Sequence, residues 1–305
     1  MCVIHGCRHG FSPVRGRHYG QRAEPELFGL LLAVILVWCL TSSATTGAER
    51  NGAEPIVIPI EIVNSFPHFK GFVNGHELTL TFDLGSDSAF ALMPDGLRIA
   101  QPDRGDKKSQ RSDVKGNIVE TATFKIRSLK VGTTEFTNVP TIADVHDPSY
   151  PAPTGREQGV IGEPLFKPYR LVLDYPGKRI ILIPQSLHQP KKDGCTGVVV
   201  QFLPKWNGEP LTRLRTDLGD LVMTWDTGAP ISIVSRSRID QTKATVIDKV
   251  YTSNRAMLGN TNYGRMPLHV LDFSQPPGVD GFIGNDFFAK HVVCIDFPNN
   301  RLLIQ

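Results

Sequence analysis

Gly159-Val-Ile-Gly-Glu-Pro-Leu-Phe-Lys-Pro-Tyr-Arg-Leu-Val-Leu-Asp-Tyr-Pro-Gly-Lys-Arg-Ile-Ile-Leu-Ile183 aligns without a gap on Gly281-Phe-Ile-Gly-Asn-Asp-Phe-Phe-Ala-Lys-His-Val-Val-Cys-Ile-Asp-Phe-Pro-Asn-Asn-Arg-Leu-Leu-Ile-Gln305. The offset is 122 residues (281 − 159). Gly, Ile, Gly, Phe, Asp, Pro and Arg recur at fixed places, and most other positions exchange one apolar residue for another. Each copy reads as a buried strand, a Gly turn, a short helix, a strand ending in Asp, a Pro turn and a closing strand. An internal repeat of this length means that one supersecondary unit has been used twice.

Upstream of each copy stands a second shared element. Leu78-Thr-Leu-Thr-Phe-Asp83-Leu-Gly-Ser precedes the first, and Leu221-Val-Met-Thr-Trp-Asp226-Thr-Gly-Ala precedes the second. Both are strands that run into Asp-x-Gly and resume as an apolar segment. The aspartates lie 143 residues apart (226 − 83), so the second half is 21 residues shorter between its two elements (143 − 122). A length change of that kind belongs in a hairpin or a surface loop.

The arrangement resembles the aspartic protease superfamily, pepsin-like and retropepsin-like. Asp226-Thr227-Gly228-Ala229 matches that family's loop in full, with Ile283-Gly284 as the segment beneath it. Asp83-Leu84-Gly85-Ser86 matches at all but one position, with Ile161-Gly162 beneath. The segments Phe72–Leu78 and Leu129–Val139 look most like bacterial retropepsin-like domains, and the resemblance runs over about residues 55–305. It implies an all-β, bilobal fold of two pseudo-symmetric retropepsin-like lobes, with one Asp loop from each lobe meeting at the cleft. It further implies an aspartic-type endopeptidase that hydrolyses peptide bonds with a water activated by Asp83 and Asp226. Gly85, Ser86, Thr227, Gly228 and Ala229 would support the two loops.

The chemistry gives a reason for the pattern. Hydrolysis of a peptide without a metal or a covalent intermediate needs one group to accept a proton from water and another to donate one to the substrate carbonyl. Two carboxyl groups about 3 Å apart cannot both ionise, so they share a proton and divide those roles. Glycine after the Asp-x step lets the backbone approach a carboxylate that a side chain would obstruct.

One departure stands out. Leu84 occupies the place where relatives carry Thr or Ser, whose hydroxyl bonds across to the opposite loop. Leucine has no donor or acceptor, so at least half of that mutual lock is missing and Thr227 needs partners elsewhere. A catalytically degenerate peptide-binding protein or scaffold with a protease fold is therefore the alternative. Other aspartates read as structural: Asp217 as a hairpin turn, and Asp174 and Asp296 as strand ends paired in sequence with Arg179 and Arg301. Tyr263, in Gly259-Asn-Thr-Asn-Tyr-Gly264, stands where a flap hairpin would lie, with a surface turn the preferred reading, and a flap over the first lobe falls in or near the polar stretch 101–120.

Composition agrees with this and excludes other classes. Gly 28 and Pro 23 in 305 residues suit a turn-rich β protein better than a helical bundle. A formal net charge of +3 gives no ground for a nucleic-acid partner. The basic lead Arg8–Arg22, the apolar run Phe28–Leu40 and the small polar residues 41–48 describe an export signal. The run itself is shorter than the roughly 20 residues of a membrane span. No charge occurs over 27–48, however, which leaves a retained membrane tether open. The expected organisation is 1–48 as signal or anchor, 49–190 as the N-terminal lobe and 191–305 as the C-terminal lobe. Export places the working part in the periplasm, at the cell surface or on the outer side of a membrane. Only Cys195 and Cys294 remain after residue 48, and sequence does not say whether they pair. No CxxC, HExxH or G-x-S-x-G occurs, so neither a metal site nor a serine nucleophile is expected, and no cofactor is called for. With both lobes on one chain, a monomer acting on a peptide or protein substrate suffices.

Overall fold

The computed structural model describes residues 54–112, 118–144, 156–187, 195–203, 210–239, 245–272 and 278–305. The expected signal or tether lies outside these residues, as does the stretch 188–194 between the halves. Among the described residues no helix is long and apolar enough to cross a membrane.

Strands dominate, and they form three sheets. The first half folds into an eight-stranded sheet built from Glu61–Val63 through Gly159–Gly162. Its hairpin of Phe66–Val73 and His76–Asp83 turns at Asn74-Gly75. Both turn residues have positive φ (50° and 85°), the geometry that matches the twist of a tight hairpin. The second half repeats the plan in a nine-stranded sheet from Leu211–Thr216 to Gly281–Ile283. In each half the Asp-loop strand pairs in parallel with the first strand of the repeat: Phe82 opposite Ile161, and Trp225 opposite Ile283. This pairing is what sets each Ile-Gly step beneath its Asp loop.

The third sheet joins the halves. It has six strands, in the order Ile56–Pro59, Arg179–Pro184, Tyr169–Asp174, Val293–Asp296, Arg301–Ile304, Val198–Gln201. At its centre Val172 faces Cys294 across an antiparallel pair, flanked by Leu171 opposite Ile295 and Leu173 opposite Val293. Val172 and Cys294 are equivalent positions of the repeat (172 + 122), so the internal two-fold axis passes between them. The sheet face towards the lobes carries Ile58, Leu171, Leu173, Ile180, Leu182, Ile295, Leu302 and Ile304, all buried in one continuous core with residues of both halves. On the other face Cys195 and Cys294 form a disulfide packed against Val172 and Ile183. The pairing that sequence left open is thereby made, on the symmetry axis itself.

Candidate active site

Each Asp loop is built the same way. The Gly85 N–H donates to Asp83 Oδ1 at 2.8 Å, and the Gly228 N–H donates to Asp226 Oδ1 at 2.7 Å. The Ser86 and Ala229 N–H groups close the turns onto the carbonyls of Asp83 and Asp226. Below, the Glu163 N–H reaches the Ser86 carbonyl and the Asn285 N–H reaches the Ala229 carbonyl, at 3.2 and 2.8 Å. The sequence expectation that the Ile-Gly segments underlie the loops thus has its bonds. An aromatic residue before each aspartate packs on the short helix that follows: Phe82 on Phe166 (ring centroids 5.1 Å apart) and Trp225 on Phe288 (5.8 Å).

The two loops meet. A Cβ added to Gly85 would lie 2.8 Å from Asp226 Oδ1, and one added to Gly228 would lie 2.6 Å from Asp83 Oδ1. Each glycine therefore abuts the opposite carboxyl group, and any side chain there would displace it. Asp83 and Asp226 are both buried (5% and 4% exposed) and lie close enough for one carboxyl group to hydrogen-bond the other. Burial, and after it the charge of Asp83, raises the pKa of Asp226 far above the ordinary carboxylate range. A hydrogen bond between two carboxyl groups requires a proton on one of them. The arrangement can therefore hold one acid and one base side by side.

Thr227 ties the loops together. Its Oγ1 accepts from the Leu84 N–H at 3.0 Å and donates to the Phe82 carbonyl at 2.9 Å. The concern that Leu84 leaves Thr227 without partners is answered by the backbone, which contributes both groups whatever the side chain at 84. Leu84 is fully buried within the core. The lock is one-sided but its hydroxyl is satisfied.

Several residues that sequence reasoning passed over support the second loop. Asn285 Nδ2 donates to the Thr227 carbonyl at 2.8 Å. Ser232 Oγ accepts from the Gly284 N–H and donates to Asp286 Oδ1. The signal for Asn285 was its place directly after Ile283-Gly284. Its counterpart Glu163, also buried, has Lys167 Nζ at 3.3 Å instead.

Asp174 and Asp296 accept from Arg179 Nε and Arg301 Nε at 2.7 and 3.0 Å and stay in the joining sheet, away from catalysis. Asp217 does turn the hairpin between Leu211–Thr216 and Gly219–Trp225. It also accepts from Ser253 Oγ and the N–H groups of Asn254 and Arg255. Tyr263 is not a surface turn: its ring packs edge-on against Phe287 and His291, and its hydroxyl is buried. The ring packs on the edge of the main apolar core, and burial of its apolar surface draws it inward. The stretch 101–120 forms the arms of a long hairpin, Asp103–Ser112 with Ile118–Val131, whose tip lies outside the described residues. Among the described residues no cluster of three or more His, Cys, Asp or Glu could hold a metal ion.

The fold has solved counterparts. Among 406 matching chains of solved structures is the aspartic proteinase from Irpex lacteus, at 11% sequence identity and a TM-score of 0.58. That match covers 82% of this chain and 97% of the other. The chain has the pepsin-like aspartic proteinase fold. At this identity the likeness speaks for the fold, and the chemistry must be argued from the residues. No family model matches the sequence, and no curated protein matches it.

Proposed function

We propose that the chain is an aspartic-type endopeptidase, with Asp83 and Asp226 as its catalytic pair. The carrying observation is the contact of the two buried carboxyl groups, each backed by a glycine of the opposite loop. In this reading the ionised member accepts a proton from a water held between the carboxyls. The water oxygen attacks the peptide carbonyl carbon while the protonated member donates to the carbonyl oxygen. Collapse of the resulting tetrahedral species breaks the C–N bond, and the proton first taken from water goes to the leaving amine. No covalent enzyme intermediate is needed. Gly85, Ser86, Gly228 and Ala229 hold the loops by the backbone bonds described above, and Thr227 by its hydroxyl.

We further infer a single-chain enzyme with lobes over 49–190 and 191–305, exported by, or tethered through, residues 27–48. The Cys195–Cys294 disulfide favours an oxidising compartment. The competing reading, an inert peptide-binding protein, draws on Leu84 alone. The close approach of the two Asp loops and the satisfied Thr227 hydroxyl favour the enzyme.

The test is cleavage of an acid-denatured protein by the purified chain. Cleavage that pepstatin blocks and Asp226→Asn abolishes supports the proposal. A folded chain that cuts no member of a peptide library between pH 3 and 8 contradicts it.

A further inference from the structure

Tyr175 has no place in the mechanism above, yet it is a buried phenol within reach of the charges of both aspartates. It follows Asp174 at the end of a strand of the joining sheet and is 4% exposed. Its ring lies against Phe288 of the other half, with centroids 5.6 Å apart. Its hydroxyl is buried and makes no hydrogen bond of good geometry to any described group, but it sits beside the side chain of Thr227. Burial, and then the charges of Asp83 and Asp226, push its pKa well above the usual phenol value, so it remains a donor wherever the dyad operates.

The hydroxyl it faces has room for one more bond. Thr227 Oγ1 gives its proton to the Phe82 carbonyl and one lone pair to the Leu84 N–H. A hydroxyl oxygen has two acceptor lone pairs, so the second is open. Symmetry adds an independent argument. The repeat offset carries Tyr175 to Phe297 (175 + 122), and the Asp-loop offset carries Leu84 to Thr227 (84 + 143). The loop with a hydroxyl thus has a phenol below it. By the same symmetry, the loop with leucine has a plain phenyl ring, and Phe297 is buried as well. Removing both partners of a buried hydrogen bond is nearly neutral, whereas removing one leaves a desolvated group unpaired. The two differences between the halves compensate each other.

We propose that Tyr175 is a positioning residue for the Asp loops: its hydroxyl donates to the open lone pair of Thr227 Oγ1, and Tyr175–Thr227 and Phe297–Leu84 are matched pairs related by the internal two-fold. Leu84 is then one member of a consistent apolar pair and not a sign of a decayed site. The phenol acts through Thr227 and touches neither substrate nor the reacting water. The effect on rate rests on the proteolytic reading; the effect on stability does not.

A double-mutant cycle on the full chain tests this with Tyr175→Phe, Thr227→Val and the combination, read by unfolding midpoint and by kcat and KM separately. Phenylalanine at 175 should fold, since the repeat already carries it at 297. Tyr175→Phe is expected to lower the midpoint and to reduce kcat about fivefold at unchanged KM, the worth of one hydrogen bond. In the Thr227→Val background it should leave kcat where it is and should not lower the midpoint further, since the phenol has already lost its partner. An equal loss in both backgrounds, or none in either, overturns the proposal. Absence of any wild-type cleavage would sink the proteolytic reading while the midpoints still decide the coupling. A second cycle guards against misfolding: Leu84→Thr should lower the midpoint and adding Phe297→Tyr should restore it. A midpoint that Phe297→Tyr fails to raise contradicts the matched pairs.

Discussion

The loops Asp83-Leu-Gly-Ser and Asp226-Thr-Gly-Ala share a backbone plan and differ in the residue after the aspartate. In both, the glycine N–H holds its own aspartate and the glycine's bare Cα backs the other one. At the next level they part: Thr227 reaches across with a hydroxyl, and Leu84 answers with its backbone N–H. The comparison separates what the site requires from what it tolerates. In the proposed enzyme, two adjacent carboxyls are required to share a proton, and two glycines against them are required by sterics. The cross-loop side-chain bond needs to come from one side only, because the backbone can supply the groups on the other.

Neutralising either carboxylate should have the largest effect. Asp83→Asn and Asp226→Asn each leave a pair that cannot hold acid and base together, and kcat should fall by about 10²–10⁴-fold in a peptide cleavage assay. Equal activity in one of them would break the equivalence of the loops. Next come Gly85→Ala and Gly228→Ala, where a methyl 2.6–2.8 Å from the opposite carboxyl must push it aside. Displacement on that scale should reduce kcat by about a hundredfold while the chain remains folded by circular dichroism. Either variant retaining full rate would refute the close approach.

The disulfide offers a control far from both loops. Cys195→Ser with Cys294→Ser opens a link across 99 residues and should lower stability by about 2–5 kcal/mol in urea unfolding, with kcat unchanged on the folded fraction. A further effect is expected from pH. Asp226 is raised in the fold, so its proton contributes stability that is complete below the unfolded value and is lost as pH climbs through the folded value, about 7. Unfolding midpoints should decline between about pH 4 and about 7, and Asp226→Asn should flatten that decline. An identical slope in the variant would place the titration elsewhere.

Much of this was legible in the sequence, for a physical reason: the repeat doubles the evidence. One Asp-x-Gly is a turn, but two of them above matching Ile-Gly steps require a common packing role. The ion pairs Asp174–Arg179 and Asp296–Arg301 were readable because both partners lie five residues apart across one turn. The Cys195–Cys294 pairing was not, since it depends on a distance set by the joining sheet. Nor were the partners of Thr227, because main-chain groups at 82 and 84 leave no mark on residue identity. Tyr263 was misjudged because Gly259-Asn-Thr-Asn signals a turn, while the burial of its ring is decided by Phe287 and His291, more than twenty residues on.

The central claim is that Asp83 and Asp226 share one proton in a working site. The pH dependence of kcat on a soluble peptide, in the wild-type chain, tests it most directly. Activity should be highest in acid and fall as pH rises through about 7, where the second proton leaves the pair. Cleavage that persists undiminished to alkaline pH, or that survives in Asp83→Asn with the same profile, would contradict it.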